Sequence, residues 1–244
     1  MFLLGMVARR LIVLAIALAV PVIAAEFLAR KLIGDAVRSA VKARIGVSAD
    51  VSFGASPVVL ALIHGRIDTV TIKARRARIG GLPPLTLSAT LHDVHLKNLT
   101  SLQGAIGSLT LDVRVTAGQV LELLATPGCV SSLPAPVRGA LGGSPRVLLF
   151  PGRIDLLPAR GRAGEVRLAP LVASRDTVAF HVTGLELGGA PASPATLAAA
   201  RAQVRCSRTL PGLPFGVALN SATVGRGALS LHLSGSGATF SALG

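Results

Sequence analysis

Residues 26–72 read EFLARKLIGDAVRSAVKARIGVSADVSFGASPVVLALIHGRIDTVTI, and this stretch decides the fold. Leu28, Leu32, Ala36, Val37, Ala40 and Val41 recur at helical spacing, while Arg30, Lys31, Asp35, Arg38, Lys42 and Arg44 fill the other face. The pattern predicts an amphipathic helix over 26–45 that stops at Gly46. Its apolar stripe suits a membrane surface, the lid of a lipid groove, or plain packing on a sheet. A short strand over 47–53 follows. Ser56 then stands where it can cap a helix with Pro57 at its first position, running to Gly65. That second helix is apolar nearly all round, so it is buried or faces lipid. Val70, Ile72 and Ala74 next alternate with Thr69, Thr71, Lys73 and Arg75, which is a strand with one apolar face.

Upstream, Arg9 and Arg10 precede an apolar run from Leu11 to Ala25 with small residues at its end, the order of a secretory signal. A bilayer span needs roughly 20 residues, so this run is short for one. Met1 to Val7 is also apolar, however, and a helix continuing through Glu26 makes an uncleaved anchor the alternative. Residues 1–25 are therefore expected to be a signal peptide or N-terminal anchor. Residues 26–244 are expected to form one domain at the cell envelope, on the periplasmic side of the plasma membrane.

Downstream, Leu85, Leu87, Ala89 and Leu91 alternate with polar residues, but Val94 and Leu96 fall on the opposite parity. The phase change at His92 and Asp93 predicts a β-bulge. Leu109, Leu111, Val113 and Val115 form another strand, and Thr116 and Gln119 have capping-box spacing before a helix holding Leu123 and Leu124. Residues 126–145, rich in Pro and Gly, are expected to be a loop with one short helix as the alternative. Strands are expected at 146–150, 154–156, 165–168 and 178–187, a helix opened by Ser193 and Pro194, and a closing strand through Leu229, Leu231 and Leu233. Long alternating strands broken by a few apolar helices indicate an α+β fold. Its strongly curved antiparallel sheet would wrap around the long N-terminal helix and form an elongated apolar cavity.

Hydrophobic residues make up 51% of the 244, yet Trp and Tyr are absent and Phe numbers 7, so the interior is aliphatic and as suited to acyl chains as to side chains. The net charge of +14 attracts polyanions. Single-stranded nucleic acid needs aromatic stacking platforms that this chain lacks, which leaves anionic lipid head groups and the membrane surface as the better partners. Lys73, Arg75, Arg76 and Arg78 form the densest basic cluster. In an exported chain the two cysteines, Cys129 and Cys206, favour a disulfide, with two buried free thiols as the alternative. His92 and His95 flank Asp93 without an evident third ligand, so no metal is expected. No nucleophile elbow, phosphate loop or dinucleotide fingerprint is present, which disfavours an enzyme, and no cofactor is implied.

Two stretches carry a resemblance. One is Phe53-Gly54, Ser56-Pro57, the apolar helix, Gly65-Arg66-Ile67-Asp68 and Val70-Thr71-Ile72; the other is Leu213-Pro214-Phe215-Gly216-Val217 with its downstream hairpin. They resemble the actinobacterial family of exported lipid-binding proteins typified by the mycobacterial lipomannan elongation factor. The resemblance covers most of residues 26–240 and implies a fold similar to tubular lipid-binding domains, with phospholipid as the ligand. On that basis the expected apolar wall is Leu32, Val37, Val59, Leu62, Ile72, Leu87, Leu111, Leu124, Phe180 and Leu231, and the head-group rim is Lys73, Arg75 and Arg76. The competing reading is an envelope scaffold whose basic surface binds a protein or anionic glycan.

Overall fold

The computed structural model describes residues 23–39, 41–43, 46–77, 83–98, 103–125, 129–142, 145–159, 164–204, 206–210 and 213–241. Most of the expected leader lies outside these residues. Residues 23–39 and 41–43 are helical and form α1, and Gly46 follows with φ of +72° and its amide bonded to the Lys42 carbonyl at 2.9 Å, the expected stop. Next come β1 (Ala49–Phe53), α2 (Val58–Ile63), β2 (Arg66–Ala77), β3 (Leu85–Asn98), β4 (Gln103–Thr116) and α3 (Ala117–Ala125). After α4 (Ala135–Leu141) the chain runs through β5 (Arg146–Phe150), β6 (Arg153–Leu157), β7 (Gly164–Ser174), β8 (Thr177–Leu187) and β9 (Ala190–Pro191). It closes with α5 (Pro194–Gln203), β10 (Cys206–Thr209), β11 (Ala218–Gly225) and β12 (Ala228–Ser241).

The fold is α+β and antiparallel, with its strands divided between two six-stranded sheets. The first runs β1-β2-β3-β4-β12-β11; the second runs β10-β8-β7-β6-β5, with β9 added beside β8. β12 leaves its hairpin partner β11 to pair along all of β4, from Ala228 opposite Thr116 to Ser241 opposite Gln103. Turn backbones join the sheets: Gly152 donates to Val224 at 2.8 Å, Gly227 to Leu149 at 3.3 Å, and Leu219 to Arg175 at 2.6 Å. One continuous core lies between them, built from Leu111, Val113 and Val115 of β4, Leu229, Leu231 and Leu233 of β12, and Ile154, Leu156, Val178, Phe180 and Val182 of the second sheet. These are the inward positions of period-2 strands, so alternation in sequence becomes a buried face directly.

Several local signals act as read. Thr116 N–H and its hydroxyl both donate to Gln119 Oε1, at 2.7 and 2.9 Å, ahead of α3, and Ser193 Oγ accepts from Thr196 N–H at 3.2 Å ahead of α5. The phase change at Asp93 is present, but by another device than a two-for-one bulge. His92 pairs with Thr69 and Ser108, Val94 with Ile67 and Ile106, so the register passes through unbroken. Asp93 instead takes φ of 60°, and Gly237, two strands away on the same transverse row, takes φ of +67°. A single left-handed residue flips the parity of the strand beyond it. Aspartate is among the few non-glycine residues that occupy that region readily. Gly107 lies between them, and a Cβ there would meet Asp93 Cβ at 2.7 Å.

A bulge does occur in β2. Ala74 pairs with Leu87 and Ala77 with Leu85, so Arg75 and Arg76 together face the single residue between, with Arg76 at φ of 60°.

Candidate functional site

At one end of the first sheet α1 and α2 are joined by a carboxylate. Glu26 Oε1 accepts from Val58 N–H at 2.8 Å and from Arg30 Nε at 2.6 Å, while Glu26 Oε2 accepts from Val59 N–H at 2.9 Å. The first amides of α2 have no partner within their helix, and a carboxylate there satisfies them and meets the positive end of the peptide dipoles. The Val59 N–H, above all, holds the Glu26 carboxyl below its usual range. The expected cap is thereby corrected. Ser56 gives its hydroxyl to Asp68 Oδ2 at 2.6 Å, and Pro57 occupies the position before the helix with no side-chain cap. The capping residue lies 32 positions upstream of Val58.

Beneath these helices the first sheet carries a small separate cluster, Ile67, Val70 and Val94, ringed by Val51, Phe53, Ala61, Ile72, Leu91, Leu96 and Phe240, all half-buried. Helix α1 runs over β1 close enough that a side chain at Gly34 would touch the Phe53 ring, 3.9 Å from its Cβ. The belt is therefore apolar, with two Phe rings among its aliphatic side chains, loosely covered, and continuous with the main core through Ile72, Leu91 and Phe240, which pack against both clusters.

The expected wall residues divide between these regions. Leu87, Leu111, Leu124, Phe180 and Leu231 are buried in the main core. Val37, Val59, Leu62 and Ile72 are half-buried around the belt and its helices. Leu32 faces outward with 61% of its surface exposed. In the core the apolar gap beside Leu124, Leu156 and the disulfide is about 10 Å³, roughly the room for one water. Lys73, Arg75 and Arg76 are exposed at the end of β2 away from α2, two of them on the bulge.

Cys129 and Cys206 form a disulfide with an S–S distance of 2.03 Å, tying the loop after α3 to β10. His95 Nε2 lies 3.5 Å from Asp93 Oδ1, but Asp93 is held by Arg66 Nε at 2.5 Å, and among the described residues no three ligands gather for a metal. A polar cleft of about 470 Å³ lies between β4, β12 and the β7–β8 turn, where Ser108, Thr110, Ser234 and Ser236 line up with Asn220 and Arg175. Sequence reading missed it because these are the outward residues of strands read for their inward faces. Asp155 is the one charged residue buried among the described residues. Burial pushes its carboxyl upward despite Arg153 at 3.2 Å. Among the described residues no helix is long and apolar enough to cross a membrane.

The belt is thus a half-buried apolar surface beneath α1 and α2. The profile of the family described as LmeA-like phospholipid-binding matches residues 24–234. The chain belongs to that family. The match takes in α1, strands of both sheets and the first half of β12, so the LmeA-like chain carries the family's unit over almost all of its described length. No curated protein and no solved structure matches it.

Proposed function

We propose that this chain is a non-enzymatic phospholipid-binding or lipid-transfer protein of the cell envelope, acting in support of envelope glycolipid synthesis of the lipomannan type. The belt carries the reading: Val51, Phe53, Ile72, Leu91 and Leu96 are left half-buried beneath two helices, in a chain of a phospholipid-binding family. Acyl chains need non-directional apolar cover, and half-buried aliphatic side chains supply it without the cost of opening a packed core. Arg75 and Arg76, turned outward by the bulge, are suited to a head-group phosphate through charge-assisted bonds. The positive balance of the chain favours an anionic lipid. The leader ending near Ala25, cleaved or retained as an anchor, is taken to export the domain to the periplasmic face of the plasma membrane.

Native mass spectrometry on protein purified from its own membranes, paired with lipid extraction, tests the proposal. Bound phospholipid is expected, and its absence both there and after incubation with liposomes overturns it. Leu62→Asp is expected to abolish loading while circular dichroism stays unchanged, because Leu62 is half-buried on α2 rather than locked in the core. Global unfolding of that variant would make Leu62 a structural residue.

The tight interior between the sheets favours a second reading, an envelope scaffold whose basic surface holds a protein or anionic glycan. Empty protein that still captures an anionic glycan would support it.

A further inference from the structure

Nine large hydrophobic residues are exposed among the described ones, and six of them sit on two adjoining helices. Ile23, Phe27, Leu28 and Leu32 of α1 are 57–75% exposed, and Leu60 and Ile63 of α2 are 51% and 73% exposed. On α1 they form two strips, Ile23 with Phe27 and Leu28 with Leu32, each spaced by one helical turn. Beyond Leu32 the outward face of α1 becomes polar, with Asp35, Arg38, Ser39 and Lys42 exposed. The apolar surface is thus confined to the tip, where α1 begins and α2 packs beside it.

The tip is also fixed in shape. Glu26 binds the first two amides of α2, and Arg30 Nη2 reaches the Ser56 carbonyl at 3.4 Å. The two helices therefore present their exposed side chains as one surface. Monomers seldom leave so contiguous an apolar patch uncovered.

We infer that this tip is a bilayer-docking surface, with α2 as a second contact that seats the domain end-on against a phospholipid membrane. Two observations select a bilayer over another protein. The chain outside the described residues ends at this patch, and the sequence leading into it, Leu11 to Ala25 behind Arg9 and Arg10, is itself apolar with a basic start, so the patch follows a stretch of sequence of the same chemistry. In addition, α1 carries four cations, Arg30, Lys31, Arg38 and Lys42, against two carboxylates. Both carboxylates are engaged, Glu26 by Arg30 and α2 and Asp35 by Arg38, so the net positive charge rests on Lys31, beside the tip, and Lys42, farther along α1, and favours anionic head groups. An apolar face with basic flanks is the arrangement of helices that lie in a membrane interface. The inference shares its ligand class with the proposed function and gives the carrier an orientation, since the tip lies directly over the half-buried belt.

The chain contains no Trp, so one introduced indole is its sole Trp fluorophore. The full chain is reconstituted into vesicles of phosphatidylcholine and phosphatidylglycerol, with or without brominated acyl chains, as three variants: Phe27→Trp, Ile63→Trp and Leu171→Trp. Leu171, on the second sheet and 50% exposed, is the control. Ile63 is decisive, since a membrane-held leader alone brings Phe27 near the bilayer but not α2. A side chain about 5–10 Å into the interface should show blue-shifted emission and about twofold quenching by bromolipid for Phe27→Trp and Ile63→Trp, with Leu171→Trp unaffected.

The inference is overturned if Ile63→Trp behaves like Leu171→Trp. It is equally overturned if Ile63→Trp is blue-shifted yet untouched by bromolipid, which means that protein covers the patch. Leu60→Trp repeats the test if Ile63→Trp fails to fold. Native mass spectrometry of the same samples reads cargo separately: quenching without bound phospholipid supports docking while sinking the carrier reading, and bound phospholipid with an unquenched Ile63→Trp does the reverse.

Discussion

The two ends of the described structure are built on the same aliphatic alphabet and treat it in opposite ways. Between the sheets, Leu124, Val115, Ile154 and Leu229 are fully enclosed and a disulfide closes the periphery. At the tip, Leu60 and Ile63 face outward, Val51, Leu62, Ile72 and Leu96 are half-covered, and a single carboxylate holds the two helices together. Residue type is nearly constant, so the difference lies in what each face is given to pack against. A core covered on both sides is closed, while a sheet covered by α1 and the six-residue α2 leaves apolar surface open.

Mutation can break this contrast, most strongly in the core. Phe180→Ala should cost about 3–5 kcal/mol, whereas Leu60→Ala at the tip should stay within about 0.5 kcal/mol, both read from denaturant midpoints. Equal costs would mean that the tip is core after all. Cys129→Ser with Cys206→Ser should cost about 2–4 kcal/mol, since the bond closes 77 residues of chain in the unfolded state. Its loss should lower the thermal midpoint of the whole molecule, because the bond sits on the shared core.

Glu26→Ala removes the link between the helices and should cost about 0.5–2 kcal/mol, the range for losing a helix cap. It should show first as faster amide exchange at Val58 and Val59. Since the folded carboxyl titrates below its unfolded value, the stabilisation is complete above the unfolded value near 4.5 and disappears as pH falls through the lower folded one. The variant should lack that acid limb. Asp155→Asn should be neutral or stabilising by about 1 kcal/mol near neutral pH, because a buried carboxylate whose Oδ1 finds no hydrogen-bond partner among the described residues is replaced by a neutral amide. Its folded value is raised, so wild-type stability falls as pH climbs from 3.8 through that folded value. The advantage of the variant should grow over the same interval in pH-dependent melts.

Much of the fold was legible because its signals are local. Gly46, Ser193 and the Thr116–Gln119 pair act within four residues of themselves, and the parity change at Asp93 appears in the spacing of Leu91 and Val94. The same spacing signal, Ala74 followed by Ala77, marked the bulge at Arg75 and Arg76 and went unread among arginines. The division into two sheets was not legible, because the placement of β12 between β4 and β11 depends on pairing across 120 residues, as between Asp112 and His232. The Glu26 cap is hidden for the same reason. Alternation tells which face of a strand is apolar but not what covers it, so the ten wall positions were all read as apolar-facing and then scattered between a closed core, a half-open belt and, at Leu32, open surface.

The Glu26 link also bears on when residues 23–25 are open to a protease. Proteases bind their substrates extended, whereas residues 23–25 are already helical and lead directly into the residue that clasps α2. Once that clasp has closed, the segment where a leader would be cut is no longer a substrate. A cut at residues 23–25 would therefore have to precede docking of α2, and a chain that folded first would be closed to a protease there.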